Sequence, residues 1–305
     1  MRILVVTNVR DGKGLARDGE ILSRLLHGWG HDVEVLDFRK PPTDPRYGLT
    51  IHFEHIEPHL LGLSPADWYI PNPEWHEDDA ARALDAGKFA RVLCKTKEAA
   101  RQFEKLTDRV VFVGFESLDR LDPSVPRERV FLHAPGWSAV KGTEAICSAW
   151  ARANGQNGGP LQYPLDYQAR RTEEQIRRAQ NRALFHLCPS EYEGFGHVIH
   201  EALSVGAIVV TTDAPPMNEV KGAAYFVRPV QWKPRCLGMM SKVDAAGVRA
   251  AADWCWALSE KEVEAKSQHA RECYEAERAE FRANLRPLID QAAREAVEVP
   301  HEAAV

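Results

Sequence analysis

The sequence predicts an α/β fold made of two βαβ domains, and three observations lead to this prediction. Short apolar runs such as residues 3–7 alternate with segments of helical spacing such as residues 20–29. The runs are continuous and rich in β-branched residues, which is typical of parallel strands buried on both faces. A segment rich in proline and charge, residues 117–129, separates two such series. We therefore expect two doubly wound parallel sheets.

The predicted elements alternate along the whole chain. Strands are expected at residues 3–7, 33–38, 50–53, 68–70, 91–94, 110–113, 130–134, 185–188 and 208–211. Helices are expected at residues 20–29, 79–88, 97–106, 142–153, 173–182 and 196–205, followed by a charged helical region at 245–280. Between residues 161 and 185 the chain is expected to lack one strand–helix unit.

The domain bounds follow from this order. We expect an N-terminal Rossmann-like domain at residues 1–125 and a C-terminal Rossmann-like domain at residues 126–275. Residues 276–305 are expected to form a helix that packs back on the first domain and then a frayed tail. Open parallel sheets bind ligands beyond the carboxyl ends of their strands. Two such domains facing each other therefore predict a cleft for two substrates.

The composition demands no particular macromolecular partner. The chain has 39 basic and 44 acidic residues and a net charge of −5, which requires neither nucleic acid nor a membrane. No apolar run approaches the roughly 18 residues of a membrane-spanning helix, so no transmembrane segment is predicted. Six cysteines without a Cys-x-x-Cys pair predict free, mostly buried thiols in a reducing cytoplasm. The sequence indicates no oligomeric state.

Residues 185–219 carry the strongest chemical signal. A buried strand ends at Pro189, and a loop containing Gly194 and Gly196 then leads into a helix. Glycines let the backbone approach a ligand closely, and the unpaired amides of a helix start bind anions. Glu193 precedes this helix, and Glu201 lies about a turn and a half into it. We expect one carboxylate at the mouth of the helix and one deeper along the wall.

The same stretch resembles a known motif. The stretch contains Pro-Ser, a spacer, Glu-Gly-Phe-Gly beginning at Glu193, and then Glu-Ala-Leu beginning at Glu201. This order is similar to the paired-glutamate motif of retaining glycosyltransferases of the GT-B fold, especially glycosyltransferase family 4. Glu219 matches an acidic position of that family after one more strand. The match is strong over about 35 residues and weaker elsewhere.

The resemblance implies roles for the motif residues. Glu201 is expected to bind the ribose hydroxyls of a donor nucleotide, and Glu193 to lie near the donor sugar. The amides around Gly194, Phe195 and Gly196 are expected to meet the donor's phosphates or sugar. His197 lies by the mouth of the helix and is expected to contact the donor as well.

Lys141 marks a second candidate position, at a glycine turn between a strand and a helix. The family has Gly-Arg, a short spacer and then Lys-Gly here, and the two cations neutralise the leaving diphosphate. Lys141 matches that pattern, but Trp137 stands where the arginine is usual, and the spacer is one residue shorter. Lys141, Thr143 and helix-start amides would then stabilise the diphosphate. His133 is a poor substitute for a guanidinium, because histidine is mostly neutral at pH 7.

The first domain contributes weaker candidates. Gly12 and Gly14 follow the first strand and resemble the glycine loop that faces the donor. His52 is a candidate general base or sugar contact near a strand end, and Glu54 is a candidate on the acceptor side. Trp75 follows two prolines, and its ring suits stacking on the acceptor. A zinc site at this cluster is rejected, since GT-B enzymes normally need no metal.

The resemblance implies hexosyl transfer with retention, from a donor similar to UDP-glucose and linked to UDP or GDP, with no cofactor required. The expected acceptor is a glycan or a lipid carrier. Two alternatives remain. The first is a compact phage-type enzyme that glycosylates hydroxymethylated DNA bases, and the arginines of residues 168–182 are its candidate DNA contacts. The second is a non-catalytic protein that binds sugar nucleotides. A dinucleotide-dependent oxidoreductase is excluded, because residues 11–17 lack Gly-x-Gly-x-x-Gly.

Overall fold

The computed structural model of the chain describes residues 1–9, 14–43, 46–76, 78–136, 138–151, 161–168 and 171–298. The chain divides into two compact units, one of Met1–Phe115 with Ala279–Val305 and one of Glu116–Arg278. Within the described ranges, no helix has the length and apolar character needed to cross a bilayer.

The first unit is a six-stranded parallel sheet with helices. Its strands are β1 (Arg2–Thr7), β2 (Asp32–Asp37), β3 (Leu49–Phe53), β4 (Asp67–Ile70), β5 (Arg91–Cys94) and β6 (Val110–Phe112). Its helices are α1 (Gly14–Gly28), α2 (Asp78–Asp85) and α3 (Lys97–Phe103). The strands lie in the order β2-β1-β3-β4-β5-β6, and every neighbouring pair is parallel.

The second unit has a five-stranded parallel sheet and a separate hairpin. Its strands are β7 (Glu128–His133), β8 (Leu165–Tyr167), β9 (Ala183–Cys188), β10 (Ile208–Thr212), β11 (Tyr225–Val227), β12 (Gln231–Arg235) and β13 (Gly238–Lys242). Its helices are α4 (Thr143–Trp150), α5 (Glu173–Arg182), α6 (His197–Ser204) and α7 (Ala245–Ala257). The parallel sheet has the order β11-β10-β9-β7-β8, and β12 pairs with β13 in antiparallel fashion.

One long helix, α8 (Glu260–Glu298), closes the chain. Its residues through Arg278 group with the second unit, and those from Ala279 onward group with the first. Within the first unit, Phe281 packs against Phe115 with ring centroids 5.0 Å apart.

Strand β10 shows why continuous apolar runs predict buried parallel strands. Ile208 and Val210 lie in one hydrophobic cluster of the second unit, and Val209 between them lies in another. Successive side chains of a strand point to opposite faces, so both faces of this sheet are covered. The predicted α/β class with two parallel sheets is confirmed.

Some elements differ from the sequence prediction. The short strand β8 was not predicted, although it lies where a strand–helix unit was expected to be missing, and it pairs in parallel with β7. Strand β11 and the hairpin of β12 and β13 were also missed. The charged region predicted as helical at 245–280 is two helices, α7 and α8, and α8 extends to Glu298.

The cysteines only partly follow the prediction. All six thiols are free, as expected, but only Cys94, Cys188 and Cys255 are buried. Cys147 and Cys236 are exposed, and Cys273 is intermediate. The expectation that most of the thiols are buried is therefore wrong, because Cys147 lies on the outer face of α4 and Cys236 in the turn of the hairpin.

An ion pair is buried inside the first unit. The Lys95 ammonium donates to Asp18 Oδ2 over 2.7 Å, and both residues are less than 5% exposed. Lys95 follows β5 and Asp18 lies on α1, so the pair connects a strand end to the first helix. Removing either partner would break this buried ion pair, which is destabilising.

Candidate functional site

The candidate site lies where two neighbouring strands of the second unit end. Strands β7 and β9 are adjacent and parallel, so the loops after them leave the same edge of the sheet. The first loop leads to α4 and the second to α6. Each helix has a glycine in the left-handed region at its N-cap, Gly142 with φ 66° and Gly196 with φ 94°.

The two loops touch at Gly142. A Cβ atom on this residue would lie 2.2 Å from the carbonyl oxygen of Pro189, which is far inside van der Waals contact. The Glu191 amide also donates to the Val140 carbonyl over 2.9 Å. Only glycine combines this approach with a left-handed backbone, so Gly142 fixes the distance between the loops.

Lys141 and Glu193 form an ion pair across these loops. The Lys141 ammonium donates to Glu193 Oε1, and the Ser190 hydroxyl donates to the same oxygen. The side chain of Lys141 is 18% exposed and that of Glu193 is 10% exposed. The structure thus brings together two residues that the sequence analysis selected from motifs about 50 positions apart.

Glu201 lies on α6, and hydrogen-bond donors hold its carboxylate from two sides. Arg120 donates to Glu201 Oε1 over 3.0 Å, and the Gln180 amide donates to Oε2 over 3.1 Å. Arg120 also pairs with Glu173 over 2.7 Å. The glutamate is 6% exposed. Two donors on a buried carboxylate fix its rotamer, so its remaining surface is presented in one orientation.

The thiol of Cys188 connects the two carboxylates. It ends β9, and burial raises its pKa to about 12, with Lys141 lowering the pKa and Glu193 and Glu201 raising it. The thiol itself is protonated at neutral pH and is no nucleophile.

The mouth of α6 has its own supports. His197, the first residue of α6, meets the Ser117 hydroxyl through Nδ1 at 2.7 Å. Phe195 is buried and stacks on His200 with ring centroids 4.1 Å apart and planes inclined by 4°. His200 in turn contacts Glu277 at 3.0 Å. The structure assigns packing to Phe195 and His200, and it leaves Gly194 half-buried in the loop.

His133 is a neutral support rather than a cation. Its Nδ1 donates to the Leu187 carbonyl over 2.9 Å, and its Nε2 accepts from the Thr143 hydroxyl over 2.9 Å. Burial, with a smaller contribution from the charge of Lys141, lowers the pKa of this ring to about 4, against the opposing effect of the hydrogen bond to Leu187. His133 therefore links β7, β9 and α4 without adding charge.

The first-unit candidates differ in their exposure and in their partners. His52 has no exposed surface, and its Nε2 contacts Asp67 Oδ1 at 3.0 Å, so in this structure it reaches no ligand directly. Glu54 follows β3 with φ 56°, and its Oε2 accepts from the Asn72 amide over 2.7 Å. Trp75 is 49% exposed, as expected for a stacking surface.

The glycine loop after β1 is only partly described. Gly14 is exposed and begins α1. Gly12 and Lys13 lie outside the described residues, as does Trp137 in the second unit. Their predicted roles stay predictions. Among the described residues, no cluster of histidine, cysteine or carboxylate side chains suits a metal ion.

Sequence reasoning missed three residues that hold the candidate carboxylates. Arg120 fell in a segment interpreted as a linker, and Gln180 lies on the amphipathic helix α5, where nothing distinguishes it from its polar neighbours. Ser190 belongs to the Pro-Ser pair of the motif but received no role. For Ser190 the spacing was a usable signal, since a hydroxyl three residues before Glu193 can reach back to its carboxylate.

Comparison with known proteins identifies the region around this site. Residues 165–230 match the family model described as glycosyl transferases group 1. The matched segment contains Glu193 and Glu201, whereas Lys141 and Arg120 precede it. No curated protein matches the chain in sequence.

Solved structures resemble the fold over most of the chain. Sucrose-phosphate synthase from Thermosynechococcus elongatus has a TM-score of 0.64 at 12% identity, covering 97% of this chain and 99% of its own. WaaG, a glycosyltransferase involved in lipopolysaccharide biosynthesis, has a TM-score of 0.62 at 12% identity, with 93% and 99% covered. The GtfA/B complex gives 0.57 at 16% identity, covering 81% of this chain.

The chain spans 58% of the length of the GtfA/B chain that it matches. The structural likenesses confirm the predicted GT-B fold. Together with the family match they support the predicted glycosyltransferase, while the donor, the acceptor and the stereochemical outcome are matters of proposal.

Replacing Gly142 with alanine should be far more harmful than a positive φ alone explains. Gly62 has φ 73° and open space around the Cβ position, so Gly62→Ala is the matched control. We expect the control to cost about 1–2 kcal/mol of stability for the left-handed backbone. Gly142→Ala should cost about 1–3 kcal/mol more, because its Cβ meets the Pro189 carbonyl. Urea unfolding measures both, and equal costs would contradict the close approach.

Acid should destabilise the second unit through His133. Its pKa is about 4 in the folded chain and 6.5 ordinarily, so between these values the unfolded chain binds a proton that the folded chain does not. The stabilisation is complete above pH 6.5 and is lost as the pH falls towards 4. His133→Asn should flatten the fall in unfolding free energy between pH 7 and pH 5. The exposed His269→Gln is the control, and a slope unchanged by both would refute the assignment.

Proposed function

We propose that this chain transfers a hexose from a nucleoside diphosphate sugar to a hydroxyl group of a glycan or a lipid-linked sugar, with retention at the anomeric carbon. The observation that carries the proposal is the contact of Lys141 with Glu193 at the starts of α4 and α6. This sheet edge combines a cation and two helix N-termini, which can bind a diphosphate, with a carboxylate, which can bind the attached sugar.

The diphosphate is proposed to lie against Lys141 and the helix-start amides. An ammonium has three N–H donors, so Lys141 can keep its bond to Glu193 and still donate to a phosphate oxygen. Negative charge grows on the diphosphate as the bond to the sugar breaks. Donors fixed before the reaction stabilise that charge at no reorganisation cost. The Thr143 hydroxyl donates its hydrogen to His133, so Lys141 and the helix-start amides are the phosphate donors of the proposal.

Glu193 is proposed to orient the donor sugar. Lys141 and Ser190 both donate to its Oε1, which fixes the carboxylate plane. An oriented carboxylate accepts hydrogen bonds from sugar hydroxyls and favours positive charge developing at the anomeric carbon. The backbone around Gly194 and Gly196 lies next to it and can approach the sugar closely.

Glu201 is proposed to bind the ribose of the donor. Its position within the family match and its fixed rotamer support this role, because Arg120 and Gln180 hold the carboxylate in place before any ligand arrives. A carboxylate that is already held in one rotamer loses less conformational entropy when a ligand binds. His197, held by Ser117, is proposed as a neighbouring contact at the start of α6.

Retention is proposed to use the departing phosphate as the base. The acceptor hydroxyl attacks the face that the phosphate leaves, and its proton passes to a phosphate oxygen of the nucleoside diphosphate. The histidine nearest to Lys141 does not suit this task, since both nitrogens of His133 are hydrogen-bonded. The chemistry needs no cofactor or metal, and we propose none.

Several features support a saccharide acceptor over DNA. WaaG and a second structural neighbour, the glycosyltransferase AviGT4, are involved in lipopolysaccharide and avilamycin A biosynthesis, and this chain is proposed to use a related class of acceptor. Two arginines of α5 are engaged in ion pairs within the second unit, Arg177 with Asp122 at 3.1 Å and Arg182 with Asp166. Glu54 and Trp75 remain proposed acceptor contacts. The free cysteines support a reducing, cytoplasmic location.

A ligand screen tests the donor. We expect one nucleotide among UDP, GDP, ADP and CDP, or its glucose or mannose conjugate, to raise the melting temperature. At 100 times its Kd such a ligand stabilises the fold by about 2.7 kcal/mol. Glu201→Gln should remove the shift while keeping the fold, since the amide retains the size of the side chain. A folded chain that responds to none of these ligands would contradict the proposal.

Glu193 and Glu191 form a matched pair for testing catalysis. Both are buried glutamates of one loop, and each lies near a lysine, Lys141 or Lys242. Glu193→Gln should lower donor turnover about a hundredfold or more, because a neutral amide cannot stabilise developing positive charge. Glu191→Gln should stay within about threefold of the unmodified chain. Hydrolysis of the identified nucleotide sugar measures both. Equal losses would assign Glu193 a structural role only.

A further inference from the structure

The hairpin of β12 and β13 exposes large apolar side chains. Trp232 is 50% exposed on β12, Met239 is 40% exposed on β13, and Val230 just before the hairpin is 63% exposed. Phe226 on β11 adds a fourth at 37%. These four account for a large part of the exposed bulky apolar residues in the described second unit, and they fall within 14 consecutive positions. Such a concentration marks an interaction surface.

The pairing register gathers part of this surface on one face. Pro234 lies opposite Met239 and Trp232 lies opposite Ser241. Residues two apart on a strand share a face, so Trp232, Pro234 and Met239 lie together. Lys233 lies between Trp232 and Pro234 and points to the other face. The hairpin therefore combines an apolar face with adjacent cations.

The charge of this segment opposes that of the whole chain. Residues 226–242 contain four basic residues, Arg228, Lys233, Arg235 and Lys242, and no aspartate or glutamate, whereas the chain carries −5. Lys242 is partly neutralised, since it lies 3.7 Å from Glu191 and 4.0 Å from Glu144. Arg228 and Lys233 are exposed and give this segment a positive charge, which complements an anionic partner.

The chemistry favours a bilayer over two other partners. Pro234 lacks an amide hydrogen and Lys233 is charged, and both lie on β12, so strand addition by a second copy is disfavoured. Val230 and Met239 offer nothing to a nucleotide base, which binds by stacking on flat rings. Proteins that enter the headgroup region of anionic lipids instead use tryptophan and aliphatic side chains with lysine or arginine nearby.

We propose that the hairpin surface, defined as Phe226, Val230, Trp232 and Met239 with Arg228, Lys233 and Arg235, binds an anionic lipid bilayer. Trp232 and Met239 enter the headgroup region, while the cations meet lipid phosphates. This inference goes beyond the proposed glycosyl transfer and does not depend on it.

The hairpin is attached to the candidate site. Gly238 packs against the ring of Tyr192, where a Cβ atom would lie 2.4 Å from the nearest ring carbon. The Ser241 amide donates to the Glu191 carbonyl over 2.8 Å. Both contacts fall on the loop that carries Glu193. A bilayer bound by the hairpin thus lies beside this loop, which brings a membrane-borne acceptor within reach of the candidate site.

Co-sedimentation with vesicles tests the proposal. The full chain should bind vesicles of equal phosphatidylglycerol and phosphatidylcholine, and not vesicles of phosphatidylcholine alone. Arg228→Glu with Lys233→Glu should weaken binding by roughly tenfold or more, given the contribution of each cation near an anionic surface. Lys221→Glu with Lys261→Glu, at two exposed lysines elsewhere in the second unit, is the matched control and should bind as the unmodified chain does.

The apolar face has a separate test. Trp232→Ser with Met239→Ser should weaken vesicle binding by a similar factor, whereas Leu106→Ser, which removes an exposed leucine of the first unit, should not. Far-ultraviolet circular dichroism and melting curves confirm that each variant folds. Equal binding by hairpin and control variants would overturn the proposal, as would binding to a single-stranded oligonucleotide but not to vesicles.

Labelling Cys236 provides a further test of bilayer contact that leaves the charged and apolar residues of the hairpin surface in place. It lies exposed in the hairpin turn, and Cys147 is exposed on α4 of the same unit. An environment-sensitive fluorophore on Cys236, in a chain carrying Cys147→Ser and Cys273→Ser, should shift to the blue when phosphatidylglycerol vesicles are added. The same fluorophore on Cys147, with Cys236→Ser and Cys273→Ser, should not shift. A shift at Cys147 alone would place the membrane contact elsewhere and refute the proposal.

Discussion

The close approach of two loops at Gly142 is the constraint on which the candidate site depends. Strands β7 and β9 are neighbours, so the loops that follow them start side by side, but a side chain at position 142 would occupy the place of the Pro189 carbonyl. With glycine there, the loops pack backbone against backbone, and Lys141 reaches Glu193 at short range. The chemistry of the site is therefore set by main-chain geometry, and the charged side chains complete what the glycine permits.

Much of the fold was predictable because its signals are local. Strand β5 and helix α5 have the predicted bounds. In β5 a continuous apolar run identifies a strand buried on both faces. In α5 the start is fixed by a capping box, in which Thr172 and Gln175 exchange side-chain and backbone hydrogen bonds. The pairing of Lys141 with Glu193 was also within reach, since each was placed at the end of a strand and the ends of parallel strands share one edge.

The remainder depends on contacts that the sequence does not encode locally. Arg120 lies in a segment that looks like a linker, and its role appears only when the fold places its guanidinium beside Glu201. The hairpin was missed because Pro234 within β12 argues against a strand, although an edge position with one partner tolerates it. His52 shows the converse. Its type and position suggested chemistry, but the sheet buries it completely beside Asp67, where solvation and packing decide its role.

The ion pair of Lys141 and Glu193 has a consequence for how a ligand arrives. The two opposite charges lie close together, so the electrostatic field of the pair is weak at long range. The whole chain carries a net charge of −5, which does not attract an anion either. A diphosphate in solution is therefore not drawn in over long distances, as it would be by a cluster of unpaired cations. In the proposed donor complex, recognition begins only at contact, when phosphate oxygens meet the ammonium and the amides directly. Under the proposed function, capture then depends on shape and hydrogen bonding rather than on long-range attraction, which lets the site discriminate between phosphates of equal charge.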